Sequence, residues 1–152
     1  MGRIRRTILV ALLFINSFYS YSRVTINEVI EGLCNCKELD CQKSHLALVE
    51  DSLLGDLEDS GIVYLSQCIY THVDVDLLSP RFRTALLSSL RETYDYFIIG
   101  IFGKLAKSEY SSDLLEIYNK NKGSRTLVND LMMENTLIRC GEETVMKDRL
   151  NH

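Results

Sequence analysis

The feature that most limits the folds open to this chain is the placement of its five cysteines: Cys34, Cys36, Cys41, Cys68 and Cys140. Three crowd into one short stretch and two stand far downstream. Whether they bridge depends on the compartment, because disulfides persist where the surroundings are oxidising. The N-terminus bears on that. Arg3, Arg5 and Arg6 precede an unbroken apolar run from Ile8 to Ile15, and Ser20 and Ser22 place small residues just before a cut ahead of Arg23. This is the layout of a cleaved secretory signal. A bilayer-spanning helix needs roughly 20 apolar residues, and the run here is about half that. Asn16, Ser17 and Ser20 keep it from extending further. The expected organisation is a signal peptide over 1–22, a single helical domain over 23–141 and a loose tail over 142–152. The mature chain is then secreted and extracellular, with no transmembrane segment.

In that setting the cysteines are expected to bridge. Cys34 and Cys36 are too close in sequence to pair comfortably with each other, given the usual Cα separation of disulfides. The economical arrangement ties two of Cys34, Cys36 and Cys41 to the distant Cys68 and Cys140. Several pairings satisfy it and sequence does not choose among them. An odd count leaves one thiol over, to bridge a disulfide-linked homodimer, to stay buried or to be reactive; the first two are favoured equally, because no Cys/His pairing points to a catalytic thiol. Cys34-x-Cys36-x4-Cys41-x3-His45 also offers three thiolates and an imidazole, which suffice chemically for tetrahedral zinc. Cys-x-Cys is not the usual zinc spacing and secretion favours bridges, so no metal and no cofactor are assigned.

The rest of the pattern is helical. Val24, Ile26, Val29, Ile30 and Leu33 fit one or two turns, with residues 34–41 as a stapled loop after them. Leu46, Val49, Leu53, Leu54 and Leu57 recur at three and four, which predicts a helix over 45–59, capped by Ser44 and broken or kinked at Ser60-Gly61. Residues 62–73 fit a helix or a short strand, with helix favoured because no partner strand appears.

Ser79-Pro80 opens the strongest element, since serine is a good N-cap and proline suits the first helical position. Phe82, Leu86, Leu90, Tyr94, Phe97, Ile98, Ile101, Phe102 and Leu105 then trace one face. They predict a continuous helix over 80–107, about 40 Å long. Gly100 and Gly103 lower its propensity and leave room for a close neighbour. A helix over 111–122, capped by Ser111 or Ser112, turns Leu114, Leu115, Ile117 and Tyr118 inward and ends at Gly123. The last, over 124–140, places Leu127, Val128, Leu131, Met132, Asn135 and Ile138 on one side and closes at Gly141. The fold class is all-α: a compact helical bundle or irregular array of four to six helices, disulfide-stapled.

The charge excludes more than it names. The chain carries 17 basic and 21 acidic residues, for a net charge of −4. Removing 1–22 takes away three arginines and no acid, leaving 14 against 21, or −7. Such a chain binds nucleic acid or anionic membrane poorly through bulk charge. No glycine-rich phosphate loop, His-Glu-x-x-His or Gly-x-Ser-x-Gly occurs, so no catalytic residue is assigned and no enzyme activity is expected. His72-Val-Asp74-Val-Asp76 would suit a metal if extended, but reads more plainly as a polar turn before Ser79.

Binding remains. The leading expectation is a secreted helical ligand, cytokine-like, hormone-like or effector-like, that meets an extracellular protein or receptor. The acidic faces of the 45–59 and 112–122 helices are its candidate contact surfaces. The alternative is a carrier of a small apolar ligand, with Phe82, Leu86, Phe97, Ile98, Ile101 and Phe102 lining an all-helical cavity.

Overall fold

Residues 25–53, 59–124 and 126–142 are described from a computed structural model, and all their regular structure is helical. The expected signal peptide, Val24, residues 54–58 of the expected 45–59 helix (Leu54, Asp56, Leu57 and Glu58 among them) and the tail beyond 142 lie outside the described residues. The described residues form seven α-helices, one more than the upper end of the four to six expected, because the 80–107 element divides in two: α1 (Ile26–Asn35), α2 (Leu39–Leu53), α3 (Asp59–His72), α4 (Pro80–Thr93), α5 (Tyr96–Leu105), α6 (Ser111–Asn121) and α7 (Leu127–Arg139). Single 3₁₀ turns, Val75–Leu77 and Ser108–Tyr110, precede α4 and α6. The 62–73 segment is helix. Ser60 and Gly61 stand in the first turn of α3 instead of breaking a helix. Among the described residues no helix is long and apolar enough to cross a membrane.

The arrangement is organised around α5, the most apolar helix. It buries Ile98, Ile99, Gly100, Ile101, Phe102, Gly103 and Leu105, so it has almost no solvent face. A helix apolar all round has to be covered all round, and α3, α4 and α7 cover it. Its two glycines set how closely. A Cβ at Gly100 would lie 2.5 Å from the Tyr70 ring on α3. One at Gly103 would lie 2.7 Å from Thr136 Oγ1 on α7. The missing side chains admit both neighbours, as expected.

The expected continuous helix over 80–107 is instead two. Ser79 and Pro80 open α4 as their residue types suggest: Ser79 Oγ accepts from the Phe82 N–H at 3.0 Å. Tyr94 then adopts the left-handed conformation (φ 49°, ψ 44°) and ends α4. Asp95 starts α5, accepting from the Phe97 and Ile98 N–H groups at 3.0 Å each. A non-glycine residue in that region costs about 1–2 kcal/mol. Here the Tyr94 side chain is fully buried, its hydroxyl donates to Asp130 at 3.1 Å, and its carbonyl accepts from Asn129 at 2.7 Å.

Three other boundaries shift. Helix α2 begins at Leu39, and Ser44 is interior, its hydroxyl donating to the Asp40 carbonyl rather than capping. Helix α6 begins after Tyr110, and the Ser111 hydroxyl turns away to donate to Glu142. Helix α7 starts after Thr126, whose hydroxyl accepts from the Asn129 N–H. The face of α7 also differs from the expectation. Met133, Thr136 and Leu137 are buried, while Leu127, Val128, Leu131 and Asn135 are exposed. Docking Thr136 against Gly103 fixes that rotation. Gly123 (φ 76°) and Gly141 (φ 89°) follow α6 and α7 in the left-handed region, as their positions in the sequence suggest.

Two disulfides form, Cys34–Cys68 between α1 and α3 and Cys36–Cys41 across the α1–α2 turn. Cys68 takes a partner from the N-terminal cluster, as expected. Cys140 does not, which corrects the arrangement of two long bridges. It closes α7, which packs on α5 and α6, whereas the cluster belongs to α1 and α2. Its thiol is buried and directed at the Phe102 carbonyl, so it is also withdrawn from the surface that an interchain bridge would require.

Candidate functional site

The C-terminus of α1, the start of α2 and the end of α3 meet on one face of the molecule. Gln42 joins them. It is buried on α2, and its amide donates to the Cys36 carbonyl at 3.2 Å and to the His72 carbonyl at 3.0 Å. Its amide oxygen accepts from the Asp74 N–H at 3.1 Å. One side chain thus satisfies backbone groups at two helix ends and in the turn beyond. Beside it lies an open cleft of about 470 Å³, lined by Cys34, Asn35, Cys36, Lys37, Gln42, Thr71 and His72.

His45, one turn after Cys41 on α2, reaches the bridged sulfurs. Its Nδ1 lies 3.3 Å from Cys36 Sγ, 3.7 Å from Cys41 Sγ and 3.0 Å from the Cys41 carbonyl oxygen. The ring sits over Gly32, where a Cβ would come within 2.5 Å of Nε2. Among the described residues, Cys36, Cys41 and His45 are the group of three metal-ligating side chains whose ligand atoms converge. His72, Asp74 and Asp76 do not form one. They make the polar turn, with Asp74 capping the 3₁₀ turn by accepting from the Asp76 N–H.

A second feature lies on α7. Leu127, Val128 and Leu131 stand 72, 59 and 44 % exposed. The helix that carries them is firmly held. Thr126 caps it, Asn129 donates to the Tyr94 carbonyl, and Asp130 accepts from the Tyr94 hydroxyl and from the Gly123 N–H at 2.9 Å.

The six residues expected as a possible ligand lining are placed elsewhere. Phe82, Leu86, Ile98, Ile101 and Phe102 belong to the contiguous buried core. Phe97 is half-buried and meets the rings of Tyr70 and Tyr96. None of the six lines the cleft beside Gln42. Of the acidic faces, Glu50 accepts from the Ser79 hydroxyl at 2.8 Å and Asp113 pairs with Arg91.

Burial raises three proton equilibria in the half of the molecule around α5. The Tyr94 hydroxyl is pushed well above its usual range by burial and by the Asp130 carboxylate it donates to. Tyr110 is raised by burial and by Glu109. The Cys140 thiol is raised by burial, which keeps it protonated and a poor nucleophile. Sequence reasoning missed Gln42 and the outward face of α7. The first has no local signature, and the second depends on a docking rotation. Comparison with protein-family models, with curated proteins and with solved structures finds no match to this chain.

Proposed function

We propose that this chain is an exported helical protein that works by binding another protein, and that the N-terminal half of α7 is its binding face. The observation that carries this reading is the exposed trio Leu127, Val128 and Leu131. Solvent-facing apolar groups clustered on one helix and rimmed by polar residues are typical of interaction sites. The Tyr94–Asn129–Asp130 hydrogen bonds hold the helix start in place, so little ordering cost remains on association. With the leader removed, the charge of −7 suits a partner whose apolar groove has a basic rim. Export rests on the N-terminal layout, and it predicts a chain in the medium that begins at Arg23.

The test is saturable binding of the labelled secreted protein to intact cells, competed by unlabelled protein. Combining Leu127→Asn, Val128→Thr and Leu131→Gln should weaken it about thirtyfold, the effect of losing about 2 kcal/mol of anchor contacts. Melting should be nearly unchanged, because these side chains contribute little to the core. Binding that survives the triple substitution removes α7 as the face. Self-association in ultracentrifugation that disappears with it assigns the face to a second copy and overturns the reading.

A further inference from the structure

Three metal-ligating side chains converge where α1 gives way to α2, and their geometry is not explained by the disulfide alone. Cys41 and His45 lie one turn apart on α2 and share a face. Cys36 approaches from the end of α1. The ligand atoms all lie within 4.8 Å of one another. Tetrahedral zinc, with Zn–S of about 2.3 Å and Zn–N of about 2.0–2.1 Å, holds a sulfur and a nitrogen about 3.6 Å apart. His45 Nδ1 stands 3.3 and 3.7 Å from the two sulfurs while these are bonded to each other; its distance to each suits coordination, and the sulfurs themselves have to part to about 3.8 Å once reduced. Gly32 secures that orientation. Its missing side chain leaves the space occupied by the Nε2 edge of the ring, and this turns Nδ1 toward the sulfurs.

The two bridges do not support the fold equally. Cys36 and Cys41 are 5 residues apart, Cys34 and Cys68 are 34 apart. In the chain-entropy picture the bridge that closes the longer loop contributes more to stability than the one that closes the short loop. When the short bridge opens, Cys34–Cys68 still fastens α1 to α3. Gln42 still holds the Cys36 carbonyl. The ligands therefore stay together.

The geometry points to a redox-gated site for a thiophilic divalent cation, zinc by its chemistry, held by Cys36 Sγ, Cys41 Sγ and His45 Nδ1 with water in the fourth position. Two thiolates and an imidazole select zinc over magnesium or calcium. The opening step balances with a thiol reductant. Two reductant thiols form their own disulfide and supply two electrons and two protons. The Cys36–Cys41 bond breaks and each sulfur takes one proton. On binding the cation both thiols release those protons to solvent. His45 then ligates as the neutral tautomer with its proton on Nε2, and Nδ1 gives up its contact with the Cys41 carbonyl. Cys34, paired with Cys68, is not a ligand, in contrast to the four-residue set suggested by spacing alone.

The test is thiol mapping on the full chain. The protein is treated with mild thiol reductant, then alkylated with and without stoichiometric zinc, and the modified cysteines are located by mass spectrometry. Zinc should slow alkylation of Cys36 and Cys41 about tenfold or more, because a coordinated thiolate is no longer a free nucleophile. Cys34, Cys68 and Cys140 should be unaffected. His45→Ala should abolish the protection while circular dichroism remains helical. Cobalt in place of zinc should give a thiolate charge-transfer band that Cys41→Ser removes. Equal protection of Cys34 would move the site to a different ligand set and overturn the proposal. So would protection that persists in His45→Ala, or fast alkylation of every thiol with zinc present.

Discussion

The two halves of this molecule are held together by different means. Helices α1, α2 and α3 meet through two disulfides, the Gln42 hydrogen bonds and a histidine seated on a glycine. Helices α4, α6 and α7 assemble with α5 through apolar packing, and α3 closes its remaining side: Gly100 sets the approach of α3 and Gly103 that of α7. The difference comes from what each segment has to bury. Helix α1 buries Val29, Ile30 and Leu33 and exposes most of the rest. Helix α5 buries seven of its ten residues. Covalent links stand where apolar area is scarce. The one cysteine in the richly packed half, Cys140, is a free buried thiol that behaves as a small apolar side chain.

The sharpest way to break that contrast is to remove sulfur from each half in turn. Replacing Cys34 and Cys68 together by alanine should cost about 4 kcal/mol, the loop-closure value for a bridge of that span. Cys140→Ala should cost about 1 kcal/mol, the transfer of one small buried group. Urea unfolding without reductant measures both. If the two losses are equal, the bridge is not what holds the N-terminal half, and the contrast fails.

The second prediction concerns the apolar half. Gly103→Ala adds a methyl 2.7 Å from Thr136 Oγ1. Overpacking of this kind costs about 1–3 kcal/mol, while alanine regains about 1 kcal/mol of helix propensity over glycine. A net loss of about 1 kcal/mol is expected in thermal or urea unfolding. Adding Thr136→Ala removes the atom in the way. The double variant should therefore be less destabilised than the two single losses summed. Strict additivity would mean that Gly103 does not set the α5–α7 distance.

The parts of this architecture that could be read from the sequence are those specified by near neighbours. Ser79-Pro80 begins a helix through contacts within one turn. Gly123 and Gly141 come directly after helices because glycine adopts the left-handed conformation at little cost. The apolar density of 96–105 marks a central helix, and its glycines mark close approach. Features that depend on distant partners are not legible. Periodicity runs unbroken through Tyr94, and the left-handed turn there is held by Asn129 and Asp130 from α7. A local hint is present in Asp95, a good cap directly before an apolar run. The face of α7 is ambiguous in sequence because its apolar residues fit two rotations, and contact with Gly103 selects one. For the candidate metal site, the ligand types and the spacing of Cys36, Cys41 and His45 are in plain view. What removes Cys34 from the set is Cys68, 34 residues away.

The smallest expected effect separates the halves by pH. Tyr94, Tyr110 and Cys140 all lie in the half around α5, and burial raises all three. In the unfolded chain the tyrosines release their protons near 10.0 and the thiol near 9.0. Above those values the folded chain still holds protons that the unfolded chain has lost. Stability is then unaffected below about pH 9 and falls as the pH rises beyond it, because the unfolded state binds fewer protons. Tyr94→Phe keeps the ring in the core and removes the largest of the three contributions. At neutral pH it costs about 1 kcal/mol for the hydrogen bond to Asp130. Above about pH 10 the variant should lose stability more gently than the parent, so the two melting curves converge with rising pH. Parallel curves would mean that alkaline unfolding begins elsewhere, and would leave the α5 half no more sensitive to base than the half held by disulfides.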